Sequence, residues 1–73
     1  MTTHPARTPA WACGGCGADW PCAARRGELR QEYAEAPVSL ALYLAAQLVD
    51  ATRDLAHVPA GQLHHRFLGW ARQ

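Results

Sequence analysis

Lysine is absent from this chain of 73 residues: all seven cationic side chains are arginine, set against six acids for a net charge of +1. The basic excess expected of a nucleic-acid binder is therefore missing. Charged residues are scarce at 18% while apolar ones reach 49%, a balance that excludes disorder and calls for a packed core. Long apolar runs are missing as well. The longest Ala/Leu-rich stretch, Leu40 to Val49, is about half a membrane span and contains Gln47, so no membrane partner is expected. The first ten residues hold no secretory apolar segment, carrying instead His4, Arg7 and three threonines, and a cytoplasmic protein is expected. Catalytic signatures are lacking too. There is no Gly-rich phosphate loop after a strand, no supported Ser–His–acid set and no carboxylate pair between apolar residues, so the chain reads as a non-enzyme.

An even number of cysteines is the last absence. Three thiols cannot close a disulfide framework among themselves, and metal ligation in a reducing compartment is the simpler reading. All three lie in the run Cys13-Gly-Gly-Cys16-Gly-Ala-Asp-Trp-Pro-Cys22. The glycines allow the tight turns that aim several sulfurs at one point, as tetrahedral Zn²⁺ requires. Cys-x2-Cys alone is a weak signal, shared with redox motifs, but a third sulfur has no role in a two-cysteine couple. Three free thiols on a surface loop, the bland alternative, would be prone to oxidation. Structural zinc needs a fourth ligand. His4, nine residues before Cys13 on a Pro-containing arm that can fold back, is the first choice; His57, His64, His65, Asp19 or a water are the alternatives. A metal bond would order an arm that otherwise has little to hold it. The metal site is thus read as Cys13, Cys16, Cys22 and His4 around Zn²⁺, a closed set with no open position for chemistry.

A chain of this length buries only roughly 60% of its unfolded surface, so a staple of this kind is expected. One domain, residues 1–73, is read as mainly α. An extended arm (1–10) leads into a Cys-rich zinc knuckle (11–22), followed by helices over 21–34, 38–56 and 59–71. The middle helix is the clearest, because Leu40, Tyr43, Leu44, Leu48, Ala51 and Leu55 fall on one face, with Leu42 and Val49 widening it. Leu63, Phe67 and Trp70 repeat similarly in the last helix, and the short connection after Ala56 makes these two a helical hairpin. Leu44, Leu48, Leu63, Phe67 and Trp70 are the expected common core. Arg25, Arg26, Glu28, Arg30 and Glu32 read as the solvated face of the first helix, and Arg66 as part of a solvated basic face. Trp11 and Trp20 are expected to shield the metal–sulfur shell and to join the knuckle to the helices; stacking on a base is the competing reading. The acids Asp19, Glu28, Glu32 and Glu35 offset the arginine patch that such stacking would need.

The series His4-x-Pro, Pro9-x-Trp11-x-Cys13-x2-Cys16-Gly17-x2-Trp20-Pro21-Cys22, then a Leu/Ala-rich helix and Arg66-Phe67-Leu68-x-Trp70, resembles a group of small actinobacterial Cys-rich, zinc-knuckle-like proteins. Some of that group carry the name flavin reductase. Nothing in these residues supports that activity, since the chain is short for a flavin and a nicotinamide site together and lacks a dinucleotide fingerprint. The resemblance implies a zinc-binding helical miniprotein with a regulatory or adaptor role. The expected partner is another protein or a second copy of the chain. A thiol-redox or flavin-linked protein, and a nucleic-acid-binding regulator, are the competing classes.

Overall fold

Proline and glycine set the breaks between elements. The computed structural model describes residues 2–72, which form β1 (Ala6–Arg7), β2 (Ala12–Cys13), α1 (Ala23–Glu32), α2 (Pro37–Asp54), α3 (Ala60–Leu68) and a closing 3-10 turn over Gly69–Arg72. Pro37 opens α2 at a position where its missing N–H costs nothing. Pro59 stands just before α3, at its N-cap. Helix α1 starts two residues later than the sequence reading placed it, because Pro21 is packed into the interior and does not open the helix. The last helix also differs from the expected 59–71. Its α-helical part ends at Leu68, and the chain tightens into the 3-10 turn that carries Trp70.

The arm is not merely extended. Ala6 pairs with Cys13 and Arg7 with Ala12 in an antiparallel two-stranded ribbon. Its turn closes with the Trp11 amide donating to the Arg7 carbonyl at 2.7 Å. Trp11 adopts a left-handed backbone, φ 57°, at a cost of about 1–2 kcal/mol for a residue bearing Cβ. Burial of its indole offsets that cost. Trp11 is 2% exposed, and its Nε1 donates to Asp54 Oδ2 at 2.8 Å.

Two apolar clusters make the core. Trp11, Trp20, Ala51, Leu55, Leu63 and Phe67 form the first, and Leu29, Leu40, Leu44 and Trp70 the second, with Tyr43 packed against both. The helical face read from the sequence is therefore present, but divided. Leu48 is only half-buried, and Leu42 and Val49 lie off the stripe at 67% and 55% exposed. The first cluster is where the N-terminal lobe meets α2 and α3. Phe67 packs edge-on to Trp11 (5.5 Å between centroids) and tilted against Trp20 (5.8 Å), geometries favoured by the aromatic quadrupole. Trp11 and Trp20 do join the Cys-rich lobe to the helices.

Arg66 reinforces the same junction. Its Nε donates to the Trp20 carbonyl at 2.8 Å and its Nη2 to the Trp11 carbonyl at 2.6 Å. The sequence reading puts this side chain on a solvated face; its fork-shaped donor set instead bridges two loop carbonyls, of which that of Trp11 also accepts from the Trp20 amide at 2.9 Å. Arg26, half-buried, departs from that reading in the same way, while Arg30 is exposed as expected and still uses one donor on the protein. They reach the carbonyls of Pro21, Arg66 and Trp70.

Phe67→Ala removes the ring that both indoles touch, and a loss of about 3–5 kcal/mol is expected, enough to unfold a domain of this size. Arg53→Ala, at an exposed position, should change stability by no more than about 0.5 kcal/mol. Chemical denaturation of both variants checks the contrast, and similar losses at both positions would show that the core is misplaced.

Candidate metal centre

The arm, strand β2, the turn that follows it and the N-cap of α1 bring four donors together. The ligand atoms of His4, Cys13, Cys16 and Cys22 all lie within 4.8 Å of one another. His4 Nδ1 is 3.2 Å from Cys13 Sγ and 3.5 Å from Cys22 Sγ. Tetrahedral bonds of about 2.3 Å to sulfur and 2.0–2.1 Å to nitrogen imply ligand-to-ligand edges of roughly 3.3–3.8 Å, so the cluster is near that size. All three thiols are free. Cys13 and Cys22 are buried, His4 is half-buried and Cys16 is exposed. The group is compatible with one metal ion. The other candidates stand elsewhere: His57, His64, His65 and Asp19 are exposed and outside the cluster.

The arm is held on both sides of His4. The Gly14 amide donates to the Pro5 carbonyl at 2.7 Å, and Trp20 Nε1 donates to the His4 carbonyl at 3.1 Å. The Thr2 hydroxyl accepts from the His4 amide at 2.9 Å and donates to Glu28 on α1. That hydroxyl, with Arg25 as a further contributor, outweighs desolvation and lowers the Glu28 carboxyl below its ordinary range. The approach of the arm also explains a glycine. A Cβ on Gly15 would overlap the Thr3 carbonyl oxygen and lie 3.0 Å from His4 Nδ1. Gly17 is required for a different reason, its φ of 78°.

Two thiols of the loop are shifted in opposite directions. Burial pushes the Cys13 thiol up, but hydrogen bonds from the Gly15 and Cys16 amides, then from the His4 and Cys16 side chains, together bring it down to about 6. Cys16 moves the other way. The Ala18 amide lowers it, but its neighbours Cys13 and Cys22 and partial desolvation together raise it above the ordinary thiol value. Cys22 occupies the N-cap of α1, whose first turn has no acidic residue and no side-chain cap.

Sequence reasoning did not find Thr2, Glu28 or the Trp20 indole N–H as supports of His4. The Gly14-Gly15 doublet was the available signal that another piece of backbone comes close; the Thr2–Glu28 contact spans 26 residues and leaves no local trace. The chain matches no family model, no curated protein and no solved structure.

Two outcomes are expected from this geometry. Gly15→Ala should displace the arm and weaken metal affinity by about tenfold or more, the scale seen when groups that orient a ligand are lost, with helical circular dichroism retained. Unchanged affinity would mean that the approach of Thr3 is not needed. The second concerns pH. The Cys13 thiol is lowered from an ordinary value of 9.0, which the unfolded chain is taken to have, to about 6 in the folded one. Its contribution to the metal-free fold is therefore complete above the higher value and is lost as pH falls through the lower one. The melting temperature of reduced, metal-free protein should rise between these limits, and Cys13→Ser should flatten that rise. An unaltered slope in the variant would assign the effect elsewhere.

Proposed function

We propose that His4, Cys13, Cys16 and Cys22 bind one structural Zn²⁺, and that the protein so closed is an interaction module, an adaptor or regulator. The observation that carries the reading is the convergence of three sulfurs and one imidazole nitrogen within 4.8 Å. Zn²⁺ suits a Cys₃His donor set, takes four ligands in structural sites and performs no redox chemistry that would consume the thiols. Four protein ligands leave no position for a substrate, so the ion's contribution is to folding. Support for a binding role comes from α2, where Val38, Leu42 and Val49 are exposed at 71%, 67% and 55%. Apolar side chains on the outer face of a helix suit contact with another protein or a second copy.

A thiol-exchange reading has one observation in its favour, the lowered Cys13 thiol beside Cys16 in a Cys-x2-Cys pair. Burial of Cys13 at 3% exposure counts against it, and bound Zn²⁺ would block exchange.

Native mass spectrometry of purified, reduced protein reads metal and subunit count together. One zinc per chain is expected, in a dimer or in a complex with a partner protein, and chelation should lower the melting temperature. His4→Ala should weaken zinc binding far more than His64→Ala or His65→Ala. Metal-free protein whose stability is the same with and without chelator would overturn the zinc reading. A metal-replete monomer at every concentration, with no protein partner, would overturn the interaction reading.

A further inference from the structure

On the side of the molecule formed by α1 and the C-terminal turn, basic residues meet without acids. A cavity of about 340 Å³ is lined by Ala23, Arg26, Arg30, His65, Gly69 and Trp70. Part of the work of these arginines is structural. Arg26 Nε donates to the Pro21 carbonyl at 3.0 Å and its Nη2 to the Arg66 carbonyl at 3.4 Å, while Arg30 Nη2 donates to the Trp70 carbonyl at 3.0 Å. These bonds tie α1 to the end of the chain. Each guanidinium has five N–H donors, so most of them are left over. Both guanidinium groups also lie against the Trp70 ring, at 5.7 and 5.4 Å from its centroid, which holds flexible side chains in place.

The charge is not returned by the protein. Among the described residues the ion pairs all involve Arg25, with Glu28 and Glu32, and the cavity has no acidic lining. Two further features mark the wall of the cavity. Trp70 is 95% buried by its 5% exposure, yet its Nε1 has no hydrogen-bond partner, and such orphans are rare in folded proteins. His65 lies against Gly69, where an added Cβ would be 2.9 Å from its Nδ1. The absence of a side chain there lets the imidazole sit at the cavity wall.

We propose that the Arg26–Arg30–His65 cavity over Trp70 binds a compact oxyanion, the phosphate group of a small phosphorylated ligand. Planar guanidinium forks match phosphate oxygens in pairs, and two forks with an imidazole surround a tetrahedral anion from several directions. The Trp70 face is already covered by the two guanidinium groups, which removes the stacking surface that a nucleic-acid base would need. The adjoining cavity shares Arg26 and His65 but is also lined by Asp19. That carboxylate makes a continuous track for a phosphodiester backbone the weaker fit. The proposal does not depend on a metal at the cysteine cluster, since it uses none of those residues.

Nuclear magnetic resonance titration of the whole chain with inorganic phosphate, at ionic strength held constant with chloride, tests it. Saturable shifts are expected at Arg26, Arg30, His65, Gly69 and the Trp70 indole N–H. Arg30→Gln, which removes one fork and leaves Arg26 tying α1 in place, should weaken phosphate binding about tenfold or more with helical circular dichroism retained. His65→Gln provides a second variant at an exposed position and should weaken binding less. A small phosphate monoester should compete for the same resonances. Shifts that do not saturate, that chloride reproduces, or that map away from these residues would overturn the proposal. So would saturable, Arg30-dependent binding of a single-stranded oligonucleotide with no saturation by phosphate.

Discussion

One arginine joins the two halves of this protein. The Cys-rich lobe has little regular structure beyond a two-residue ribbon, and the carbonyls of Trp11 and Trp20 face α3. Arg66 answers both with one rigid fork, over sequence separations of 46 and 55 residues. Beside it, Phe67 meets the two indoles whose carbonyls Arg66 holds. Polar and apolar parts of the junction are thus fixed by adjacent residues of one helix. A lysine could not reproduce the double donation from a single point charge.

The position of His4 follows from that junction at one remove. Trp20 is fixed by Phe67 on its ring and by Arg66 on its carbonyl, and its indole N–H then holds the His4 carbonyl. Thr2 and Glu28 add a second hold from α1. The donor set is therefore shaped partly by helices that contribute none of its atoms. This is the pattern by which proteins aim metal-binding imidazoles, with the surrounding shell deciding orientation.

Local signals were legible in the sequence and long-range ones were not. The cysteine spacing, the glycines between them and the apolar repeat from Leu40 to Leu55 each act within one or two turns of chain, and they indicated the helical class and the group of residues that comes together. Helix ends shifted by one to three residues, since Pro21 and Gly69 take roles set by packing. Arg26 and Arg66 differ from the solvated reading for a physical reason. A guanidinium on a helix looks solvated in a periodicity argument, and only the placement of distant carbonyls decides whether it reaches one. Leu42 and Val49 show the converse, because an apolar residue at the margin of a stripe is buried only if a neighbour arrives to cover it.

The four donors span residues 4–22, with His4 and Cys13 nine apart and His4 and Cys22 eighteen apart. Closing loops of that size costs little chain entropy and is fast compared with pairing distant segments. During synthesis from the N-terminus, the whole donor set exists before the first residue of α2 has been added. Short loops can therefore bring the donors near one another, while their final placement depends on contacts with the helices. Arg66 and Phe67 supply those contacts from 44 and more residues downstream of Cys22.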